Sequence, residues 1–343
     1  MITLKSERME VPEDILEINR LFYEKGWSDG LPVIPPTRER VLGLLQGTTR
    51  QPDEVINPVP PRWAEASVEK IAINAVMAGC LPEHMPIIIA AVEGMTKTEF
   101  NLYGVQTTTH PCAPLLVING PIRKEVGINC SYGAFGPGTL ANAAIGRAIR
   151  LILLNIGGAL PGKTDRATHG QPGKYTYTVG ENEEESPWES LSVERGFGPE
   201  DNTVTVMAAE GLHNVSDHQS ISALGILTTI AGTLACQGNN NIIMQMGEPL
   251  VIFGPEHAKT IAREGLTKKD VKEFLFQKAR ILKTAFSEEI QKDKFSHFSG
   301  NALIPITEKS KDIIIVVAGG SGKHSMVTFT FGNTLSVAEP IQT

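Results

Sequence analysis

Residues 106–121 read QTTTHPCAPLLVINGP, and the run inside them, APLLVIN at 113–119, decides the fold class. A short apolar run closed by Gly-Pro predicts a strand buried on both faces. Three more stretches behave alike: residues 203–208, EPLVIFGPEH at 248–257 and KDIIIVVAGGSG at 311–322. Helical periodicity fills the intervals over 139–154, 217–233, 256–264 and 268–282. Thr267 and Asp270 hold the N-cap and N3 positions of the last of these. The pattern predicts an α/β protein, a mixed sheet with covering helices.

Upstream of this run, Ile15, Ile18, Leu21 and Phe22 give residues 12–24 one apolar helical face. Turn-forming glycines and prolines in GWSDGLPVIPPTRER end it, and Thr37 caps a second helix to 46. Residues 50–62 are proline-rich and predict a surface wrap. Trp27, Ser28 and Asp29 are candidates to cover a substrate or partner. Ser67 caps a helix over SVEKIAINAVMAGC, and a further helix starts near Pro82.

PLLVINGP and PLVIFGP both end a strand in Gly-Pro, with Gly120 and Gly254 134 residues apart. VMAAEGLH and VAGGSGKH both place Gly-x-His after a strand. Such pairs are what two related α/β units would leave. The expected organisation is an N-terminal helical and proline-rich arm at 1–66, a first unit at 67–200 and a second at 201–343, packed as one body.

The chain has 343 residues, 41% of them hydrophobic, enough for a large core. Its formal net charge of −7 and dispersed lysines and arginines argue against a nucleic-acid partner. The start carries no apolar signal segment, and ISALGILTTIAGTLAC is short for a membrane span, so no membrane partner is expected. Cys80, Cys112, Cys130 and Cys236 form no CxxC pair, and a secreted disulfide scaffold is not indicated. The expected location is cytoplasmic.

Polar chemistry concentrates in loops next to the strands. His110 and Cys112, two apart on extended chain, face the same way. They could act together or simply share a core face. GINCSYGAFGPGT places Tyr132, Gly136 and Gly138 before a helix start, where amides can hold an anion. Arg147 follows on that helix. GGALPGKTDRATHGQPGKYTYT gathers Lys163, Arg166, His169 and Lys174 in one glycine-shaped loop. In the acidic run ENEEESPW, Glu183, Glu184 or Glu185 is a candidate base or a partner for that basic loop. Glu210, His213 and His218 are a candidate metal set, though they match no zinc motif, and Asp217 is a candidate N-cap. AGGSGKHS lacks the first glycine of a phosphate loop, where Val317 stands, and has His324 in place of its Ser/Thr. Lys323 and His324 remain anion-binding candidates.

Together DGLPVIPPT, AINAVMAGC, HPCAPLLVINGPI, FGPGTLANAAIGRA, NIGGALPGKTDRATHGQPGKYTY, ENEEESPWE and GPEHA span nearly the whole chain. Their text resembles an uncharacterised bacterial protein group found near small proteins with a Cys/selenocysteine-Gly-Ser-Cys motif. The resemblance implies a sulfur-related or redox pathway with a small redox-protein partner. The Cys-Gly-Ser-Cys motif itself is missing here, which speaks against direct dithiol chemistry.

The leading expectation is an enzyme acting on a small polar or anionic substrate. Its chemistry would be histidine/carboxylate acid–base or metal-assisted, of the lyase or hydrolase kind. Expected catalytic residues are His110, Cys112, His169, Glu210 and His213. Expected substrate contacts are Tyr132, Gly136, Gly138, Arg147, Lys163, Arg166, Lys174, Lys323 and His324. A divalent transition metal is the candidate cofactor, on Glu210, His213 and His218. The competing expectation is a non-catalytic small-molecule-binding or partner subunit, and a homo-oligomer is compatible with either.

Overall fold

The computed structural model describes residues 4–342. The first half runs α1 (Ile15–Glu24), α2 (Arg38–Leu44), β1 (Val55–Val59), β2 (Ala64–Ser67), α3 (Val68–Ala78), α4 (Met85–Met95), α5 (Leu102–Thr107), β3 (Ala113–Asn119), α6 (Ile122–Glu125), α7 (Leu140–Asn155), β4 (Thr178–Gly180), α8 (Leu191–Glu194) and β5 (Thr203–Ala209). The second runs β6 (His213–Ser216), α9 (Ala223–Leu234), α10 (Asn240–Met244), β7 (Leu250–Phe253), α11 (Pro255–Ala262), α12 (Lys268–Lys278), β8 (Arg280–Leu282), α13 (Glu288–Asp293), β9 (Leu303–Pro305), β10 (Ile314–Val317), β11 (His324–Thr328) and β12 (Val337–Pro340). It is a mixed α/β fold in which helices pack against sheets.

Two four-stranded sheets have the orders β4-β3-β5-β12 and β10-β7-β11-β6. Each starts with a parallel pair and then adds two antiparallel neighbours, so both follow one plan. Their last strands are exchanged. The chain leaves β5 for β6, which pairs with β11, and leaves β11 for β12, which returns to β5.

Alternation along each strand decides what packs where. Ala113, Leu115 and Val117 of β3, with Met207 and Ala209 of β5, meet Leu250, Ile252, Ile314 and Val316 between the sheets. Leu116, Ile118, Val204 and Val206 face the other way, into a core shared with α3, α4 and α7. Val251, Phe253, Ile315 and Val317 pack likewise with α9, α11 and α12. The layers are therefore helix, sheet, sheet, helix. Burial on both faces is why these strands read as unbroken apolar runs.

Local signals act as their chemistry suggests. Ser67 caps α3 and Gly79, at φ 88°, ends it. Thr267 and Asp270 form the capping box of α12. Elsewhere the boundaries differ from expectation. Residues 213–216 are strand rather than a lead into a helix, and α9 begins only at Ala223, capped by Ser222. Asp217 instead accepts from the Ser220 amide and the Thr229 hydroxyl. The helix from 268 stops at Lys278, because residues 280–282 pair with β9. The proline-rich stretch contributes a strand to the β1–β2 hairpin. No helix among the described residues is long and apolar enough to cross a membrane.

Candidate functional site

The expected site residues separate into two clusters at opposite ends of β11. The first lies where β3 begins and β5 ends. The β3–β5 register sets Ala113 opposite Ala209, which brings the segments before and after them together. His110 Nε2 meets Glu210 Oε1 at 2.6 Å, and the His110 ring stacks on Phe331. Glu210 is fixed through its backbone: its carbonyl accepts from Tyr177 and Thr328, and its amide donates to Phe329. A carboxylate only accepts, so His110 Nε2 carries the proton of this bond. His110 Nδ1 is buried without a partner among the described residues.

The 160–174 loop folds over this pair. The Thr168 amide donates to Thr109 O, and Gln171 approaches Gly211. Thr164 braces the loop through Gly158 and Leu160. Lys174 Nζ lies 2.8 Å from Asp165 Oδ2, with Arg150 on the same oxygen at 3.8 Å. Cys112 lies fully buried beside these groups. Burial pushes its thiol up to about 12, despite the nearby Lys174 charge. A thiol so buried suits a core position better than the catalytic role expected of it. Cys112 and His110 share a cluster, but the histidine's partner is a carboxylate.

The second cluster surrounds a hollow of about 410 Å³ between the sheets. Gly133, Phe135 and Gly136 line one wall, Gly319 to Gly322 another, and His324 and Met326 a third. Tyr132 lies over Gly320, where a β-carbon would come within 2.2 Å of the ring. His218 and His324 place their Nε2 atoms 3.1 Å apart, so one donates and the other accepts. Lys323 Nζ donates to His218 O. Ser325, the next residue on β11, turns toward α11 and meets His257 Nδ1 at 2.8 Å. His257 Nε2 donates to Asp217 O and burial favours the neutral ring, so Nδ1 accepts from the serine hydroxyl. Partly buried His, Asp and Glu side chains thus form polar networks of the kind that catalytic and binding sites use.

The other expected residues lie elsewhere. Arg147 clamps Asp29 of the N-terminal arm with two bonds of 2.9 and 2.8 Å, a tether in place of the expected substrate contact. That also occupies Asp29 as a cover residue. Lys163, Arg166 and His169 are exposed on the loop, and their side chains make no hydrogen bond or ion pair among the described residues. His169 therefore does not join His110. His213 is exposed on edge strand β6, whose pleat turns it to the opposite side from Asn214 in the hollow wall. Gly138 lies beyond the hollow's lining. Among the described residues no three His, Cys, Asp or Glu side chains are grouped to hold a metal ion. Glu210, His213 and His218 fail as a set because Glu210 is held by His110 and His218 by His324, at opposite ends of β11.

The acidic run pairs with partners other than the basic loop. Glu183 and Glu184 bind Arg123, Glu184 also binds Lys124, and Glu185 binds Lys259. Asp165 belongs to the dense group of charged residues that marks the 163–174 loop in the sequence. Arg123 and His257 gave no signal, because their partners come from distant segments. No protein-family model matches the chain, and no curated protein matches it.

Proposed function

We propose that this protein is an enzyme that acts on a small polar or anionic molecule by histidine/carboxylate acid–base chemistry, with His110 and Glu210 as the reacting pair. The observation that carries this reading is the 2.6 Å bond between His110 Nε2 and Glu210 Oε1. Glu210 holds the imidazole in one tautomer, leaving the Nδ1 lone pair to take and return a proton. Lys174 and Arg150, which converge on Asp165 in the same cluster, are the cations for an anionic substrate. The 160–174 loop must move to admit substrate, since it lies against Thr109 and His110 Nδ1 is buried. Proton transfer of this kind serves lyases and hydrolases alike.

The test is a turnover screen of small phosphorylated and carboxylated molecules, read by mass spectrometry. Wild type is expected to convert one of them. His110→Gln and Glu210→Gln should each lower kcat by roughly 10²-fold or more while the substrate still binds. If wild type binds a compound without converting it, and the two variants bind it equally, the protein is a binding subunit and the acid–base reading fails.

A further inference from the structure

The hollow between the sheets has the features of a second ligand site, about four residues of β11 and roughly 13 Å from His110 and Glu210. Its amides are the first feature. Gly320, Ser321 and Gly322 donate their N–H groups to no protein atom among the described residues, whereas the Gly319 amide is taken by Cys130 O. Successive free amides in a glycine turn form a concave receptor for oxyanions. Charge is the second. None of the lining residues is acidic, in a chain with a net charge of −7. The paired His218 and His324 stand at the rim, with Lys323 behind them. Shape is the third. Phe135, Ile252 and Met326 give the hollow an apolar interior beside the polar turn.

The other sheet shows what belongs at such a position. Ile118, one residue before the end of β3, pairs with Gly180, the last residue of β4; Phe253 ends β7 paired with Val317, the last residue of β10. After Gly180 the chain continues Glu181, Asn182, Glu183, Glu184; after Val317 it continues Ala318, Gly319, Gly320, Ser321. In the first sheet Glu183 accepts from the Gly120 amide and from Arg123. Protein carboxylates fill that strand end. At the second sheet amides and imidazoles are on offer, and among the described residues no carboxylate lines the hollow.

We infer that the hollow binds a small molecule with a flat apolar body and an oxyanion group. The oxyanion sits on the amides of Gly320 to Gly322 within reach of His324, and the body lies against Phe135, Ile252 and Met326. This site stands independently of the reaction assigned to His110 and Glu210. Phenyl phosphate, phenol and inorganic phosphate serve as probes, titrated into the intact protein by calorimetry and followed by amide NMR. Phenyl phosphate is expected to bind about tenfold more tightly than either fragment and to shift the amides of Gly320 to Gly322. His324→Asn, a change at an exposed side chain, should weaken binding about fivefold, and Met326→Trp should abolish it by filling the hollow. His110→Gln should leave it unchanged. Phenyl phosphate binding no better than phenol, or shifts confined to the 160–174 loop, would overturn the inference. If Met326→Trp fails to fold, His324→Asn decides alone.

Discussion

The two sheets follow one plan, yet their parallel strand ends are finished in opposite ways. At the end of β3 and β4, Arg123 is buried and donates to Gly120 O, Glu181 O, Glu183 and Glu184. Glu181 is buried with it, pushed up by that burial and held by Asn119 and the Leu191 amide. At the end of β7 and β10 the same position is glycine and open space. One architecture therefore supports either an internal ion-pair plug or a vacancy, depending on about four residues after a strand. A plug adds a desolvation cost that its partners must offset, whereas a vacancy leaves backbone groups for something else to satisfy.

Removing the plug's cation should have the largest effect. Arg123→Ala takes the buried cation from Glu183 and Glu184, leaves the Gly120 and Glu181 carbonyls without their donor, and should cost ~3 kcal/mol in urea unfolding. His324→Ala, at the open end, should change stability by no more than about 0.5 kcal/mol. Equal losses would break the contrast between the two ends. Next in size is the contact that shapes the open end. Gly320→Ala drives a β-carbon into the Tyr132 ring and should cost ~1–3 kcal/mol. Tyr132→Ala, at an exposed side chain, should recover most of that in the double variant, measured as a mutant cycle. Additive losses would mean that the two loops do not press on each other.

Acid should show the smallest and most selective difference. His257, behind the open end, is held below its ordinary 6.5 by burial. Its contribution is present above pH 6.5 and lost as pH falls through the lowered value. Glu184, at the plug, is held down to about 2, chiefly by its hydrogen bond from Arg123, against an ordinary 4.5. Its contribution is present above pH 4.5 and lost only as pH falls toward 2. Thermal melts from pH 7 to 5 should therefore fall by a few degrees, roughly 2–4 °C per kcal/mol lost. His84, likewise pulled down by burial, contributes to the same slope, so His257→Gln should reduce it in part and Glu184→Gln should leave it unchanged. A slope abolished by Glu184→Gln would reverse the assignment.

The central strands β3, β5, β7 and β10 were legible because each is buried on both faces and reads as apolar. Strand β6 was not, since HNVS is short and three of its four residues are exposed. Nothing local distinguishes it from a loop; only its pairing with β11 makes it a strand. The site shows the same division. His110, Glu210, Tyr132 and His324 could be singled out by residue type and position. Which of them meet depends on the β3–β5 and β6–β11 registers, which join residues about 100 apart. That is why one expected site became two. Arg147 misled because a cation three residues from another on a helix says nothing of what approaches it, and Asp29 arrives from 118 residues away.

The exchanged strands bind the two sheets thermodynamically. Each sheet ends in a strand that the chain delivers from the other, so peeling one sheet apart strips an edge from its neighbour. Divided after β6, the chain gives two halves, each lacking the last strand of its own sheet. The molecule should consequently melt as one unit, with calorimetric and van't Hoff enthalpies in agreement. A nick between β6 and α9, at residues 218–222, would leave two fragments that need one another, rather than two separable halves.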